Sequence, residues 1–239
     1  MTPQPDIRTV SVTASTNDDV AALARAGAPS GIWVRADTQS GGRGRHGRIW
    51  SSPPGNLYAS TFVRLVPGDP PPATLALVAA VALDELVGAL VGSERIQLKW
   101  PNDLLLDGAK LSGILLESSG DAVVVGFGVN LAYHPEGLDR PVTSLAAAGI
   151  AAPTAEAFLA ELAPAFARWV QRWRGEGLAA VRQRWLARAH PVGTALSARQ
   201  ADGSIVEGLF DGLDGDGALR LRLAAGGVHV MHAGDIFLL

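Results

Sequence analysis

The stretch Leu98–Glu117, LKWPNDLLLDGAKLSGILLE, constrains the fold more tightly than any other part of the chain. Ile96 to Lys99 reads as a short strand that Pro101 stops, because proline forces its predecessor extended and supplies no amide donor. Asn102 and Asp103 turn the chain, and Leu104 to Leu106 start a second strand. Asp107-Gly108 makes a tight hairpin turn, and Leu111 to Glu117 run back. The stretch also holds Lys99 and Lys110, the only lysines beside eighteen arginines. An ammonium is a compact point charge, whereas a guanidinium is a flat fork suited to bidentate contacts. Lys110, just past a two-residue turn at the start of an apolar strand, is a cation that a rigid element can hold in place.

The rest of the chain surrounds this hairpin with mixed elements. Ile7–Val12 reads as a strand, and Val20–Arg25 as a helix with Gly27 as its stop. Thr16 to Asp19 has the spacing of a capping box, so Ser15-Thr16-Asn17 offers both a helix cap and polar groups for a ligand. Ile32–Ala36 and Asn56–Leu65 read as strands, Thr74–Val91 as a largely buried helix, and Ala122–Leu131 as a further strand. Thr154–Arg174 and Leu178–Arg188 read as helices whose Trp169, Trp173 and Trp185 are packing residues. After His190-Pro191 the pattern turns to short strands, among them the strictly alternating Leu219–Leu223. That segment predicts a small barrel or sandwich, marginal alone and packed on the larger unit. His229 and His232, three apart in a strand, fall on opposite faces and do not form a metal pair.

Bulk properties narrow the function. Net charge is −3, which gives no global attraction to nucleic acid or anionic membrane. The absence of cysteine excludes disulfides, thiolate zinc sites and a cysteine nucleophile, and it fits a reducing cytosol. The first ten residues lack the apolar core of a signal peptide. The most hydrophobic run, Ala73–Leu83, is broken by Asp84-Glu85 and reads as too short to span a bilayer. The expectation is a soluble cytoplasmic protein.

Residues 37–56 form a glycine-rich segment after a buried strand. Gly42 to Gly47 matches GxGxxG, but Ile49-Trp50-Ser51-Ser52-Pro53-Pro54 cannot open the helix that a dinucleotide fingerprint needs. No GxxxxGK[ST], GxSxG or HExxH is present. What remains is a flexible loop whose amides and whose Arg43, Arg45 and Arg48 suit an incoming anion. An arginine–glycine segment can also bind single-stranded nucleic acid, although this is one loop in an acidic chain. Loop and lysine together favour phosphate or carboxylate chemistry driven by electrostatic positioning.

These stretches resemble the biotin–protein ligase family. Gly42-Arg43-Gly44-Arg45-His46-Gly47-Arg48 resembles its GRGRRGR loop, with His46 in place of an arginine. Lys99-Trp100-Pro101-Asn102-Asp103 and Lys110-Leu111-Ser112-Gly113-Ile114-Leu115-Leu116-Glu117 resemble its KWPND…KLxGILxE hairpin. Ser15-Thr16-Asn17, Gln39 and the Gly126–Asn130 strand match further motifs, in order, over the chain from about residue 10 onward. The resemblance implies an α+β fold: a mixed-sheet catalytic domain like that of class II aminoacyl-tRNA synthetases (residues 1–189) and a small SH3-like β-barrel (residues 190–239). It implies biotin, ATP and magnesium as ligands, biotinyl-5′-adenylate as intermediate, and a lysine of a biotin carboxyl carrier protein as acceptor. Lys110, Arg45 and Asp103 would be catalytic, with Asp103 beside the metal and no metal held by protein alone. Ser15, Thr16, Asn17 and Gln39 would meet biotin. Gly42, Arg43, Gly44, Arg45, Arg48, Gly113 and Asn130 would border the adenylate, with Trp50 against adenine. The family's DNA-binding members carry an N-terminal winged helix not seen here, so the expectation is a single-function ligase, monomer or homodimer, without DNA or membrane partners. A lipoate–protein ligase is the alternative, sharing chemistry and fold but matching the arginine–glycine loop poorly.

Overall fold

The computed structural model describes residues 5–200 and 202–239. Its first part runs β1 (Asp6–Thr13), α1 (Thr16–Arg25), β2 (Ile32–Gln39), β3 (Leu57–Arg64) and α2 (Leu75–Val91). The hairpin region follows as β4 (Ile96–Lys99), β5 (Asp103–Leu106), β6 (Ala109–Ser119) and β7 (Ala122–Val129). Then come α3 (Ala155–Glu176), α4 (Leu178–Leu186), β8 (Ala195–Arg199), β9 (Ile205–Leu213), β10 (Leu219–Arg222), β11 (Val228–Met231) and β12 (Asp235–Leu238).

Strands β1 to β7 form one mixed sheet in the order β1-β2-β3-β7-β6-β5-β4, and β8 to β12 form a second in the order β11-β10-β9-β8-β12. Among the named strands of the first sheet only β1 and β2 run parallel; the other strand pairs are antiparallel. The alternation of side chains across each strand decides what lies on each face. On one face Phe62, Val124, Ile32 and Val34 pack under Val20 and Ala24 of α1. On the other, Trp33, Phe127 and Leu98 join α2, α3 and α4 in the main core. Trp33, Phe127 and Phe166 meet there with centroids 5.4–5.8 Å apart, two of the contacts edge-on.

The tryptophans expected in packing roles take them. Trp173 and Trp185 are fully buried, and Trp173 donates to Thr74 Oγ1 at 2.8 Å. Helix α2 departs from the expectation of a hydrophobic run too short to span a bilayer. With its preceding turn it covers Pro72–Val91, 20 residues of mean hydropathy 2.0, enough by length and composition to cross a membrane. Asp84 does not break it, because Arg184 and Arg188 of the α4 region approach its buried carboxylate at 2.6 and 3.4 Å. These are charge contacts without hydrogen-bond alignment, and burial pushes the carboxyl up against the pull of both arginines. The helix lies inside the core against the sheet and α3.

The second sheet does not stand apart. Leu196, Phe210, Leu219, Leu221 and Ile236 belong to the same continuous core as α2 and β6. Arg182 of α4 donates to Asp214 O at 2.7 Å, and Trp100 Nε1 to Gly217 O at 3.3 Å.

Candidate active site

A cleft opens on the α1 face of the large sheet, beyond the end of that helix's apolar footing. Along β3 and β7 the facing positions change from Phe62 and Val124 to Ser60, Gly126 and Gly128. Large side chains hold α1 down, and small ones leave the cleft. Its rim comes from the start of α1, the glycine-rich loop, the β4–β5 turn, and β12 of the second sheet.

Lys110 points into this cleft because of a break in strand register. Leu104 pairs with Ser112 but Leu105 pairs with Lys110, so Leu111 is an extra residue in β6. Such a bulge re-aims the side chains before it. Lys110 thereby shares a face with Gly113, where a methyl group would come within 3.2 Å of the Lys110 amine. Strict alternation would have put the two on opposite faces. Backbone bonds to Pro141 O and from Thr143 N, at 2.9 and 3.0 Å, clamp Lys110 from the other side. Its ammonium donates to Asp103 Oδ1 at 2.5 Å.

Trp50 lies across the paired glycines Gly113 and Gly128, where a methyl group at Gly128 would meet the indole at 2.5 Å. Lys110 Nζ stands 5.5 Å from that ring, and the buried indole N–H has no partner among the described residues. Lys99 also faces the cleft, 5.4 Å from the Phe237 ring. Burial pushes its amine below the ordinary lysine value, opposed by Asp103 and reinforced by Lys110 and Arg140.

At the other end of the cleft a buried relay of polar side chains links four elements. Gln39 Nε2 donates to Ser52 Oγ at 3.2 Å, and its carbonyl accepts from Thr16 N at 2.9 Å. Thr16 Oγ1 and Ser60 Oγ are 2.7 Å apart, and Ser60 donates to Asn17 Oδ1 at 2.6 Å. Asn17 Nδ2 donates to Glu117 Oε2, also at 2.6 Å. The expected capping box is therefore absent. Ser15 is the N-cap, without a side-chain bond, and Thr16 turns its hydroxyl away from the helix to partners on β2 and β3.

The arginines of the loop, which suit an incoming anion, already have carboxylate partners within the chain. Arg43 donates to Glu117 at 3.0 and 3.1 Å and to Asp18 at 2.7 and 2.8 Å. Arg43 thus braces the loop to α1 and β6, and its guanidinium holds the Asp18 carboxyl below the usual range. Arg45 donates to Gly234 O at 2.9 Å and to Asp235 at 3.1 Å; Arg48 also binds Asp235. Burial favours the neutral Asp235 carboxyl, yet the bond from Arg48 and the charge of Arg45 outweigh it, leaving that group below its ordinary value. Three arginines close together on one loop repel one another, and carboxylates of the chain itself offset that repulsion. The loop has a defined path, with Arg43 bridged to Ile49 and His46 in the left-handed region at φ 56°.

Of the residues singled out from the sequence, the cleft brings together Ser15, Thr16, Asn17, Gln39, Arg43, Gly44, Arg45, Arg48, Trp50, Asp103, Lys110 and Gly113. Two fall outside its lining. A methyl group at Gly42 would meet Ser52 Oγ at 2.5 Å and Trp50 O at 2.6 Å, so Gly42 serves the loop's own packing. Asn130, 2% exposed, donates to Thr143 O at 3.0 Å and secures the segment that clamps Lys110. The cleft adds Ser60, Glu117 through its bonds, Arg140, Asp235 and Phe237. Glu117 stood in the hairpin motif without a role. Asp235 carried no local signal, since it is an isolated acid in the last strand.

An α+β protein with positioned cations at one end of its cleft and a buried polar relay at the other defines a class: one suited to an anionic ligand that also carries polar groups. Comparison with known proteins makes this specific. The model of the biotin/lipoate A/B protein ligase family matches residues 10–130, and that of the biotin protein ligase C-terminal domain matches residues 197–239. A biotin–[acetyl-CoA-carboxylase] ligase of Paracoccus denitrificans is 43% identical, over 94% of this chain and 97% of that one. The Mycobacterium tuberculosis protein of the same name is 36% identical over 95% and 86%. The structure of an Aquifex aeolicus biotin protein ligase in complex with biotin and ATP matches in fold with a TM-score of 0.84, at 22% identity and 98% coverage of both chains. The chain belongs to the biotin protein ligases of this family.

Proposed function

We propose that this protein is an ATP-dependent ligase that makes biotinyl-5′-adenylate and transfers biotin to a lysine of a biotin carboxyl carrier protein. The observation that carries the reading is the single cleft in which five separate motifs surround the clamped ammonium of Lys110. The first family model covers biotin and lipoate ligases alike; the C-terminal model and the named relatives, which carry only biotin ligases in their descriptions, favour biotin over lipoate.

In the first step a carboxylate oxygen of biotin attacks the α-phosphorus of ATP, and the bond to the β-phosphate oxygen breaks to release pyrophosphate. Both partners are anions, so the barrier is largely electrostatic. Lys110 exchanges its contact with Asp103 for the two incoming groups and stabilises the charge that builds between them. In the second step the neutral amine of the acceptor lysine attacks the acyl carbonyl, AMP departs, and the amine loses its proton. Ser15, Thr16, Asn17 and Gln39 meet the polar atoms of biotin. Trp50 lies against adenine, its free indole N–H available to the ligand. Arg45 and Arg48, with the loop, cover the adenylate and keep water from hydrolysing the mixed anhydride.

Magnesium fits as an ion carried in on the ATP phosphates, where it would neutralise their charge. No group of three His, Asp or Glu exists among the described residues to hold one independently, and Asp103 is the carboxylate that faces that end. The large sheet reads as the class II synthetase-like domain, the second as an SH3-like barrel, with the boundary at residue 189. The test is ATP–pyrophosphate exchange with biotin or lipoate as cosubstrate. Exchange driven by lipoate and not by biotin would overturn the assignment.

A further inference from the structure

The relay beside the cleft contains one group that cannot reverse its hydrogen-bonding sense. An amide can turn over and a hydroxyl can rotate, so a chain of Asn, Ser and Thr has two directions. An ionised carboxylate only accepts. We propose that Glu117 is a positioning residue that sets the direction of the Asn17–Ser60–Thr16 relay, and through it the donor–acceptor pattern offered to biotin. The proposal rests on the biotin reading above and deepens it.

The direction follows link by link. Glu117 Oε2, 2.6 Å from the Asn17 amide, obliges Asn17 to present Nδ2 there. Asn17 Oδ1 is then turned to Ser60, whose hydroxyl must donate to it at 2.6 Å. With its hydrogen spent, Ser60 accepts from Thr16 Oγ1 at 2.7 Å. Thr16 has one hydroxyl hydrogen, so its 3.1 Å approach to Gln39 Oε1 gives way, and that carbonyl keeps the Thr16 backbone N–H. Ser60 and Thr16 therefore turn lone pairs, not hydrogens, to the cleft they line. Thr16, Asn17 and Ser60 are 3%, 4% and 0% exposed, so water does not repair a reversed link.

Glu117 is itself immobilised. Arg43 donates to both its oxygens, at 3.1 and 3.0 Å. Gly126 on β7 leaves room for the Asn17 amide, since a methyl group there would run into Asn17 Oδ1. Shape and charge thus fix the same amide.

The experiment is a reciprocal swap read by exchange kinetics and by NMR. Glu117→Gln can face Asn17 with either end of its amide, so the relay loses its direction. The biotin KM should rise about tenfold or more while the ATP KM moves less than about threefold. Asn17→Asp, which sets two carboxylates against each other, should show the same split. The double variant Asn17→Asp with Glu117→Gln again gives Ser60 an obligate acceptor, and its biotin KM should return to within about threefold of wild type. Ser60→Ala leaves the Glu117–Arg43 contact intact and should also raise the biotin KM selectively, which covers the case of an unfolded Glu117 variant. In the ligand-free protein, the Asn17 side-chain amide protons should resonate as strongly hydrogen-bonded and shift on Glu117→Gln. Unchanged biotin KM in Glu117→Gln, parallel rises in both KM values, a double variant no better than either single, or an unshifted Asn17 signal each overturns the proposal. Absence of biotin-dependent exchange in wild type would instead overturn the biotin reading, and the NMR arm would still decide the relay.

Discussion

Lys110 does not wait in the cleft as a free charge. Asp103 holds it at 2.5 Å, both side chains being at most 14% exposed, so ligand anions must compete with a carboxylate already in place. Lys110→Ala should lower the rate of adenylate formation about 10²–10³-fold, the range for losing one preorganised donor at a developing charge. Lys110→Arg should not restore it, because a planar fork cannot sit where Gly113 and Trp50 leave room for an ammonium. Single-turnover measurement of biotinyl-adenylate separates this step from transfer; near-normal synthesis in Lys110→Ala would remove the residue from the chemistry. The rarity of lysine and the tight Asp107-Gly108 turn made Lys110 legible in the sequence. Its direction was not, because the bulge at Leu111 depends on how β5 and β6 pair.

The glycine-rich loop and β12 act as one unit, since Arg45 and Arg48 both end on Asp235. Asp235→Ala removes their anion and leaves the loop tied mainly through Arg43. Loss of charge-assisted hydrogen bonds worth about 1.5–3 kcal/mol should let adenylate escape roughly ten- to a hundredfold faster. Escaped adenylate acylates any exposed amine, so biotin should appear on an unrelated protein mixed with this variant, ATP and biotin. Equal labelling by wild type and variant would show that β12 does not hold the loop. The sequence showed this loop's composition and its anion-binding character. It did not show that each arginine already has a carboxylate, because Asp235 is 190 positions from Arg45 and pairs with it only once the second sheet docks.

The two sheets share one core, and this governs the stability of the whole chain. Residues 1–189 alone would expose the apolar surface that Leu196, Phe210, Leu219 and Ile236 cover. That fragment should be insoluble or lack a cooperative thermal transition. A transition at the full-length melting temperature would mean that the units fold independently. His190 sits at the junction, 5% exposed, with Nε2 unpaired among the described residues. Burial, aided by the Lys99 charge, pushes its imidazole below the ordinary value. The unfolded chain therefore takes up this proton first. The stability that neutral His190 preserves is complete above about pH 6.5 and is lost as pH falls toward the folded value, by at most about 1.4 kcal/mol per unit. Denaturant midpoints between pH 7.5 and 5 should fall in wild type and fall less in His190→Gln. Identical slopes would remove His190 as the source. The carboxylate Asp235, lowered in the folded state, also stabilises, and its contribution is full above about pH 4 and lost only as pH falls below that, so the two windows separate.

Local chemistry settled the elements of this protein: the Pro101 stop, the Asp107-Gly108 hairpin, the apolar helix that ends at Val91 and the alternation of Leu219–Leu223 all act over a few residues, and each lies where such short-range forces put it. The spacing of the glycine loop and the lysine hairpin likewise marked most of the cleft, because backbone clearance and a positioned charge leave a compositional trace. Three features required the assembled chain. The Leu111 bulge turns Lys110 toward Asp103, Thr16 forsakes its helix cap for Ser60 and Gln39, and Asp235 arrives from the far end of the sequence. In each case, partners far apart in sequence outcompete the local hydrogen bond or alternation, and burial makes that choice decisive by excluding water from the alternatives.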